Sequence, residues 1–343
     1  MSSNAVSLAG KRVLVTGGAG FIGSTLVDHL VSAGCDEILV VDNMLSGSPG
    51  HLSQALQSDR VRLIGADIRD RAAMACLVAG IDTVFHQVTL RAAHCVSEPR
   101  LAMEVMADAT FDLLEQCVAS GVRKVVLASS ASVYGAVEEG PKPHGRRSLH
   151  LDRTLHGVIK SFCEGLLRAF GTMYGLDAVA LRYFDAYGPR MDIHGPYTED
   201  MIRWIERIEA ATPPIIYGDG QQMMDLVHVD DLARANVLAA TMDVSGVTLD
   251  IGSGTRTSHL DLARMLAGVM GRSWLSPVHM TERGAVPARP AADPRPAEQL
   301  LGFRADMPLE AGLRDLVAWW RQASTIAAAE RDTEDASLEI AAR

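Results

Sequence analysis

The sequence predicts an α/β fold: a doubly wound parallel sheet, Rossmann-type in the first half, with a smaller mixed α/β substrate-binding domain in the C-terminal half. Three observations lead there. Short β-branched runs alternate with longer amphipathic stretches from residue 11 to about residue 184, the pattern of parallel strands covered by helices on both faces. A glycine-rich turn joins the first run to the first amphipathic stretch. Past Asp185 the alternation gives way to Gly/Pro-rich loops and short mixed segments.

In chain order, "RVLVTG" is a buried strand, and the helix through "FIGSTLVDHLVSAG" ends at Gly34. "EILVVD", "VRLIGAD", "DTVFHQ" and "KVVLASS" are the next four strands, with helices such as "DRAAMACLVAG" and "PRLAMEVMADATFDLLEQCVASG" between them. After Leu151 a further helix carries His156 and Lys160, and "DAVALRY" is a sixth strand. The C-terminal half begins with the loop "GPRMDIHGPYTED" and a helix near "MIRWIERIEA", then a short strand at "PIIYG". "MDLVHVDDLARANVLAAT" reads as strand then helix, "LDIGSG" as a strand, and "LEAGLRDLVAWWRQA" as the closing helix after a Pro-rich segment. The expected boundaries are a flexible N-terminus over 1–10, a cofactor-binding domain over 11–184 and a cap over 185–323, some of whose segments return to the first domain. A frayed helix or a disordered tail is expected over 324–343, where the Ala/Glu-rich sequence has no core face.

With 343 residues and 48% hydrophobic content the chain can bury a large core. A formal net charge of −10 excludes a general nucleic-acid binder. It leaves room for one anionic small molecule, which needs only a few local donors. No run of about 18 apolar residues reads as a membrane span. The first ten residues lack the basic start and apolar stretch of a signal peptide, so a cytoplasmic location is expected. The five scattered cysteines fit free thiols in a reducing compartment.

"VLVTGGAGFIG" sets Gly17, Gly20 and Gly23 between a buried strand and a helix start. The first glycine permits a tight turn, the second lets backbone approach a pyrophosphate, and the third lets helix and strand pack closely. Phe21 and Ile22 open a helix whose unpaired N–H groups face that anion. Asp42 ends the next strand, where a carboxylate bonds both ribose hydroxyls and repels a 2′-phosphate, so NAD is favoured over NADP. Asn43 follows it. Asp67 and Ile68, after the third strand, would lie near the adenine, with a helix cap at "DIRD" as the competing reading.

These motifs, together with "SSASVYG", an x-x-x-K helix, "RYFDAYGPR" and "HVDDLARA", resemble the extended short-chain dehydrogenases/reductases, more narrowly the nucleotide-sugar epimerases and dehydratases. The resemblance runs from about Lys11 to Arg321. It implies a tightly held NAD⁺ that oxidises a sugar carbon and often re-reduces it, acting on a nucleotide-diphosphate sugar. It also implies a homodimer paired through the helices around residues 99–121 and 155–175. In the family a tyrosine takes the hydroxyl proton, a lysine one turn later lowers its pKa and bonds the nicotinamide ribose, and a serine or threonine orients the sugar. Lys160 and Ser130 take the lysine and serine roles, and the resemblance puts Tyr183 beside the cofactor. The tyrosine position holds His156.

An imidazole with an ordinary pKa of about 6.5 is mostly neutral at pH 7 and able to accept a proton. Its ring ends short of a phenol oxygen, so a bridging water or a shifted sugar would close the gap. The role could instead pass to the loop "HQVTLRAAHC", which offers Thr89, Arg91, His94 and Cys95. The last two are also candidates for a second acid/base pair. The family's dehydratases carry an Asp-Glu pair after the serine or threonine; here Ala131 and Ser132 stand there, which disfavours that chemistry. Asp185 replaces a common asparagine and Met224 a common diphosphate arginine. Arg289 matches another such arginine, Arg190 is a spare, and His194 sits in a loop beside the expected pocket. With Ser132 and Asp185 these form the candidate sugar site. The expectation is an NAD-dependent nucleotide-sugar epimerase, inverting C4 through a transient 4-keto sugar. The alternatives are a 3- or 5-epimerase or atypical dehydratase acting through the same ketone, and an NAD-binding protein without turnover.

Overall fold

The computed structural model describes residues 6–135, 154–193, 199–281 and 290–341, with residues 326–341 described by backbone alone. The first half alternates as the hydrophobic pattern requires: β1 (Arg12–Thr16), α1 (Phe21–Ser32), β2 (Glu37–Asp42), β3 (Val61–Gly65), α2 (Arg71–Val78), β4 (Thr83–His86), α3 (Ala92–Ser97), α4 (Pro99–Met103), a π turn (Glu104–Asp108), α5 (Ala109–Ala119) and β5 (Lys124–Ser130). A 3-10 turn (Ala131–Tyr134) leaves β5, and α6 (Leu155–Tyr174) and β6 (Asp177–Tyr183) follow. The helix expected over residues 99–121 is therefore interrupted by the π turn, where Val105, Met106 and Ala107 are all buried.

The cap region contributes β7 (Asp185–Tyr187), α7 (Asp200–Glu209), β8 (Ile215–Tyr217), β9 (Met223–Met224), β10 (Leu226–His228), α8 (Val229–Thr241), β11 (Val247–Ile251), β12 (Thr257–Ser258), α9 (His259–Val269), β13 (Val278–Met280), α10 (Arg295–Leu301) and α11 (Leu309–Ala341). The main sheet has seven strands in the order β11-β6-β5-β4-β1-β2-β3, all parallel. β11 thus comes back from the C-terminal half to extend the sheet beside β6. α8 returns with it, its Leu232, Ala233 and Ala235 joining one core with Leu26, Val27 and Leu30 of α1. The other face of the sheet is covered by α2, α5 and α6 over a second core. A third core, built from Trp204, Ile205, Leu262, Leu266, Leu313 and Leu316, holds the cap together.

One terminal expectation is corrected. Leu8 is buried, and the Val6 amide donates to the Thr241 carbonyl, so residues 6–10 are tied to α8 rather than loose. α11 continues past Ser324 to Ala341. All five cysteines are free thiols, four of them buried.

The strand order reverses at β1, which lies between β4 and β2. Loops leaving β1 and β4 therefore diverge and open a crevice at the carboxyl ends of the strands, the place where an open α/β sheet binds ligands. The backbones meet closely there: a Cβ on Gly17 (φ +70) would stand 2.9 Å from the Val88 amide nitrogen. α6 rises beside this crevice. Thr154 caps it by accepting from the Gly157 amide at 3.1 Å, a contact of about 1 kcal/mol. Its inward stripe of Ile159, Cys163, Leu167 and Phe170 fixes its rotation, and with it the direction of His156 and Lys160.

Candidate active site

The cofactor side of the crevice is built from glycines that no other residue replaces. A Cβ on Gly23 would lie 2.2 Å from the Gly17 carbonyl, so α1 packs on the loop only because position 23 has no side chain. Gly20 caps α1 in extended conformation with no side-chain bond, leaving the first N–H groups of the helix for an anion. Asp42, buried at the end of β2, accepts from the amides of Ala19 (3.0 Å) and Met44 (2.9 Å). Gly47 closes against its carboxylate, where a Cβ would come within 2.9 Å.

Asp67 is not a helix cap; Asp70 does that work, accepting from Ala72 and Ala73. Asp67 instead accepts from Asn43 at 3.2 Å and pairs with Arg69 at 2.8 Å. Its carboxyl is held down to about 2, first by the Arg69 hydrogen bond. It thus stands beside Asp42 as a second anionic wall. Ile68 turns inward to the core.

Two residues sit elsewhere than their expected roles require. Arg190, in left-handed conformation (φ 71), pairs with Asp28 of α1 at 2.6 Å. Its Nη1 is buried without a partner. This anchors it against α1. Tyr183 buries its hydroxyl against Gln87 and Asn236, each at 3.0 Å. Burial raises its pKa. Its side chain therefore offers nothing to a cofactor and instead ties β6 to α8.

At the reaction side, Lys160 is buried and donates to the Ala128 carbonyl at 2.7 Å. Burial lowers its pKa. His156, 9% exposed, is bonded at both nitrogens: Nδ1 to Ser132 Oγ at 2.9 Å and Nε2 to Thr89 Oγ1 at 3.3 Å. Ser132, Thr89 and His156 come from the turn after β5, the loop after β4 and the first turn of α6. Ser130 Oγ accepts from the Ser132 amide at 3.1 Å and so caps the 3-10 turn. The nearby phenol, Tyr134, donates to Asp250 at 2.6 Å and accepts from Arg182 at 2.7 Å. Burial first, then Asp250, pushes its pKa up to about 12. It is a structural link in a network running through Glu164 to Ser129, not a substitute base.

The remaining candidates divide. Cys95 is closed inside the protein, its thiol against the Leu90 carbonyl and the Met106 sulfur, and burial raises its pKa. That removes it from the sugar site. His94 lies 3.6 Å from Glu98 on its own short helix. Arg91 pairs with Asp192 at 3.6 Å, bridging from the loop after β4 toward the cap. Asp185 accepts from the Asp225 amide at 3.1 Å. His194 and Arg289 lie outside the described residues. The spacing of the sequence gave no sign of Gly157, whose Cβ would sit 2.6 Å from the Ser132 carbonyl. Its bareness is what lets His156 and Ser132 meet.

Residues 13–252 match the family model of the NAD dependent epimerase/dehydratase family. The chain belongs to that family. A UDP-glucose 4-epimerase of Mycolicibacterium smegmatis is 32% identical over 319 residues, covering 91% of this chain and 99% of its own. The UDP-N-acetylglucosamine 4-epimerase of Methanobrevibacter ruminantium M1, solved with UDP-N-acetylmuramic acid, superposes with a TM-score of 0.84 at 30% identity, covering 92% and 99%. A dTDP-glucose 4,6-dehydratase of Streptomyces venezuelae, solved with NAD, has a TM-score of 0.80 at 28% identity, covering 91% and 97%. The cofactor of this family is NAD, and the glycine cradle and Asp42 fit it. Gly17, Gly20 and the start of α1 would hold the pyrophosphate, Asp42 the adenosine ribose, and Lys160 the nicotinamide ribose. Among the described residues no helix is long and apolar enough to cross a membrane.

Proposed function

We propose that this chain is an NAD-dependent nucleotide-sugar epimerase that inverts C4, with His156 holding the hydroxyl proton. The observation that carries the reading is His156 itself, fixed between Ser132 and Thr89 one helical turn from Lys160. NAD, when bound, supplies the hydride acceptor and returns the hydride. The protein's own share is to receive the proton of the sugar hydroxyl at His156, hold it while the carbon is a ketone, and return it. Lys160, buried beside the strand ends, stands one helical turn from His156 on the same helix.

Two further observations favour C4 inversion over the alternatives. The 3-10 turn presents Ala131 and Ser132, neither able to act as the acid and base of a dehydration. Cys95, one half of the pair that could exchange a proton next to a ketone, is shut inside the core. The similarity to 4-epimerases that act on UDP-sugars supports a nucleotide-diphosphate sugar as substrate.

The reading also includes a homodimer. Phe111 of α5 and Val158, Phe162, Met173 and Tyr174 of α6 are large apolar side chains left 40% to 66% exposed, a patch that a second copy would cover. Replacing Phe162 with glutamate is expected to shift the species seen by light scattering from dimer to monomer.

The deciding experiment is absorbance at 340 nm after mixing NAD⁺-loaded protein with a panel of nucleotide sugars, followed by chromatographic separation of epimers in D₂O. A transient rise, with an epimer free of solvent deuterium, is expected. Deuterium in the product would replace this reading with epimerisation next to the ketone. Binding of a sugar without a rise or product would leave a cofactor-binding protein without turnover.

A further inference from the structure

Both nitrogens of His156 are already engaged, which raises the question of how a sugar hydroxyl reaches the base at all. The hydrogen-bond pattern answers it. Thr89 has one hydroxyl proton and lies 3.3 Å from the Leu90 carbonyl and 3.3 Å from Nε2. A carbonyl can only accept, and the arrangement in which Thr89 donates to Leu90 and accepts Nε2–H satisfies all three groups. A neutral imidazole has a single N–H, so Nδ1 carries the lone pair. Ser132 Oγ lies 2.9 Å from that lone pair and gives it its proton. The serine oxygen keeps its lone pairs for another donor, since the bond to Ser130 uses only the Ser132 amide.

We propose that Ser132, rather than His156, is the group that touches the sugar hydroxyl, and that it relays the proton to Nδ1. This rests on the epimerase reading above. The relay also repairs the reach of the short imidazole ring, because it sets an oxygen 2.9 Å beyond Nδ1. In the oxidative half, the carbinol carbon loses hydride to oxidised nicotinamide and its hydroxyl proton goes to Ser132 Oγ. Ser132 gives its own proton to Nδ1 in the same motion. Ketone and the His156 imidazolium remain; in the return half the protons run back along the same path while hydride is delivered to the opposite face of the ketone carbon, which inverts it. Ser130, which the family resemblance put in contact with the sugar, becomes the residue that orients Ser132. Gly157 makes the relay possible, since any Cβ there would press on the Ser132 carbonyl at 2.6 Å.

Two measurements on the full-length, NAD-loaded protein test this. The first is nitrogen NMR of protein labelled at histidine, with the His156 signals assigned by their loss in His156→Gln. The Nε2–H tautomer is expected; a proton on Nδ1 in the neutral ring overturns the relay. The second is kinetics with whichever nucleotide sugar the 340 nm experiment identifies. Ser132→Ala is expected to lose about 100-fold in kcat with little change in KM, and Ser132→Thr to recover most of it. A proton inventory in mixed H₂O and D₂O should show two protons in flight in the wild type and one in Ser132→Ala. A purely structural role for the hydroxyl would not change that count. Ser132→Ala turning over within about threefold of an active wild type sinks the relay and leaves the epimerase reading standing. A wild type silent toward every nucleotide sugar sinks both.

Discussion

Two histidines in this protein are held in the same way and do different things. His86, at the end of β4, is bonded through Nδ1 to Thr16 at 2.7 Å and through Nε2 to Thr110 at 2.9 Å. His156 is bonded through Nδ1 to Ser132 and through Nε2 to Thr89. Both rings are clamped between two hydroxyls. The difference lies in what surrounds the hydroxyls: Thr16 and Thr110 are enclosed in the core, whereas Ser132 is part-buried and Thr89 exposed at the crevice. A clamp inside the core fastens β4 to its neighbours. The same clamp at the crevice can pass a proton outward. Access, not bonding, separates a structural histidine from a chemical one here.

The largest test of that contrast is His156→Gln, which keeps a hydrogen-bonding side chain but cannot take up the proton. A loss of about 10²- to 10⁴-fold in kcat is expected, with NAD binding unchanged by titration. His86→Gln should leave kcat within about tenfold of wild type, since no substrate reaches it. If the two variants lose equally, the contrast collapses.

Stability should show the reverse ranking. Removing the His86 ring by His86→Leu leaves Thr16 without its partner in the core, a cost of about 1–3 kcal/mol at pH 7, read from urea unfolding. The acid side is informative as well. Burial first, then the charge on Lys160, lowers the His86 pKa to about 3. The unfolded chain takes up this proton below about pH 6.5 while the folded one refuses it until about pH 3. The wild type therefore loses stability as the pH falls through that window, and keeps it above. His86→Leu lacks that loss, so the gap between the two proteins should narrow toward pH 4. A gap that stays constant with pH would mean the His86 proton is not excluded by folding.

A smaller effect is expected at Thr89. Thr89→Val keeps the volume but removes the acceptor for Nε2–H, so the ring keeps its place and loses one restraint on its tautomer. A fall in kcat of roughly tenfold is expected. No change would show that Ser132 alone holds the tautomer.

How much of this was legible in the sequence follows from how local each constraint is. The glycine loop and Asp42 were readable because they act within one strand–turn–helix unit, where a left-handed φ or a missing Cβ leaves a direct mark. The α/β rhythm was readable for the same reason. The clamp on His156 was not, because its partners stand 24 and 67 residues away in the chain. Tyr183 was misplaced for another reason. β6 is buried on both faces, so alternation along it gives no hint of which side chain faces the crevice and which faces α8. Arg190 was read by its type, an arginine near an anion site, while its place was decided by Asp28 on a helix read only as a cover.

The finest probe of the comparison is Gly157→Ala. A glycine inside a helix costs about 1 kcal/mol relative to alanine, so propensity alone predicts a more stable protein. The added Cβ, however, would sit 2.6 Å from the Ser132 carbonyl, a backbone atom that yields only by moving the 3-10 turn. Moving that turn lengthens the Ser132 to His156 hydrogen bond and leaves the Thr16–His86–Thr110 clamp untouched. The expected result is a melting temperature within a few degrees of wild type, as about 1 kcal/mol implies for a chain of this size, with kcat reduced several-fold and NAD affinity intact. Because the variant keeps every catalytic side chain, a fall in kcat would report the spacing of the relay itself. Unchanged kcat would mean that the turn moves without carrying Ser132 away from the ring.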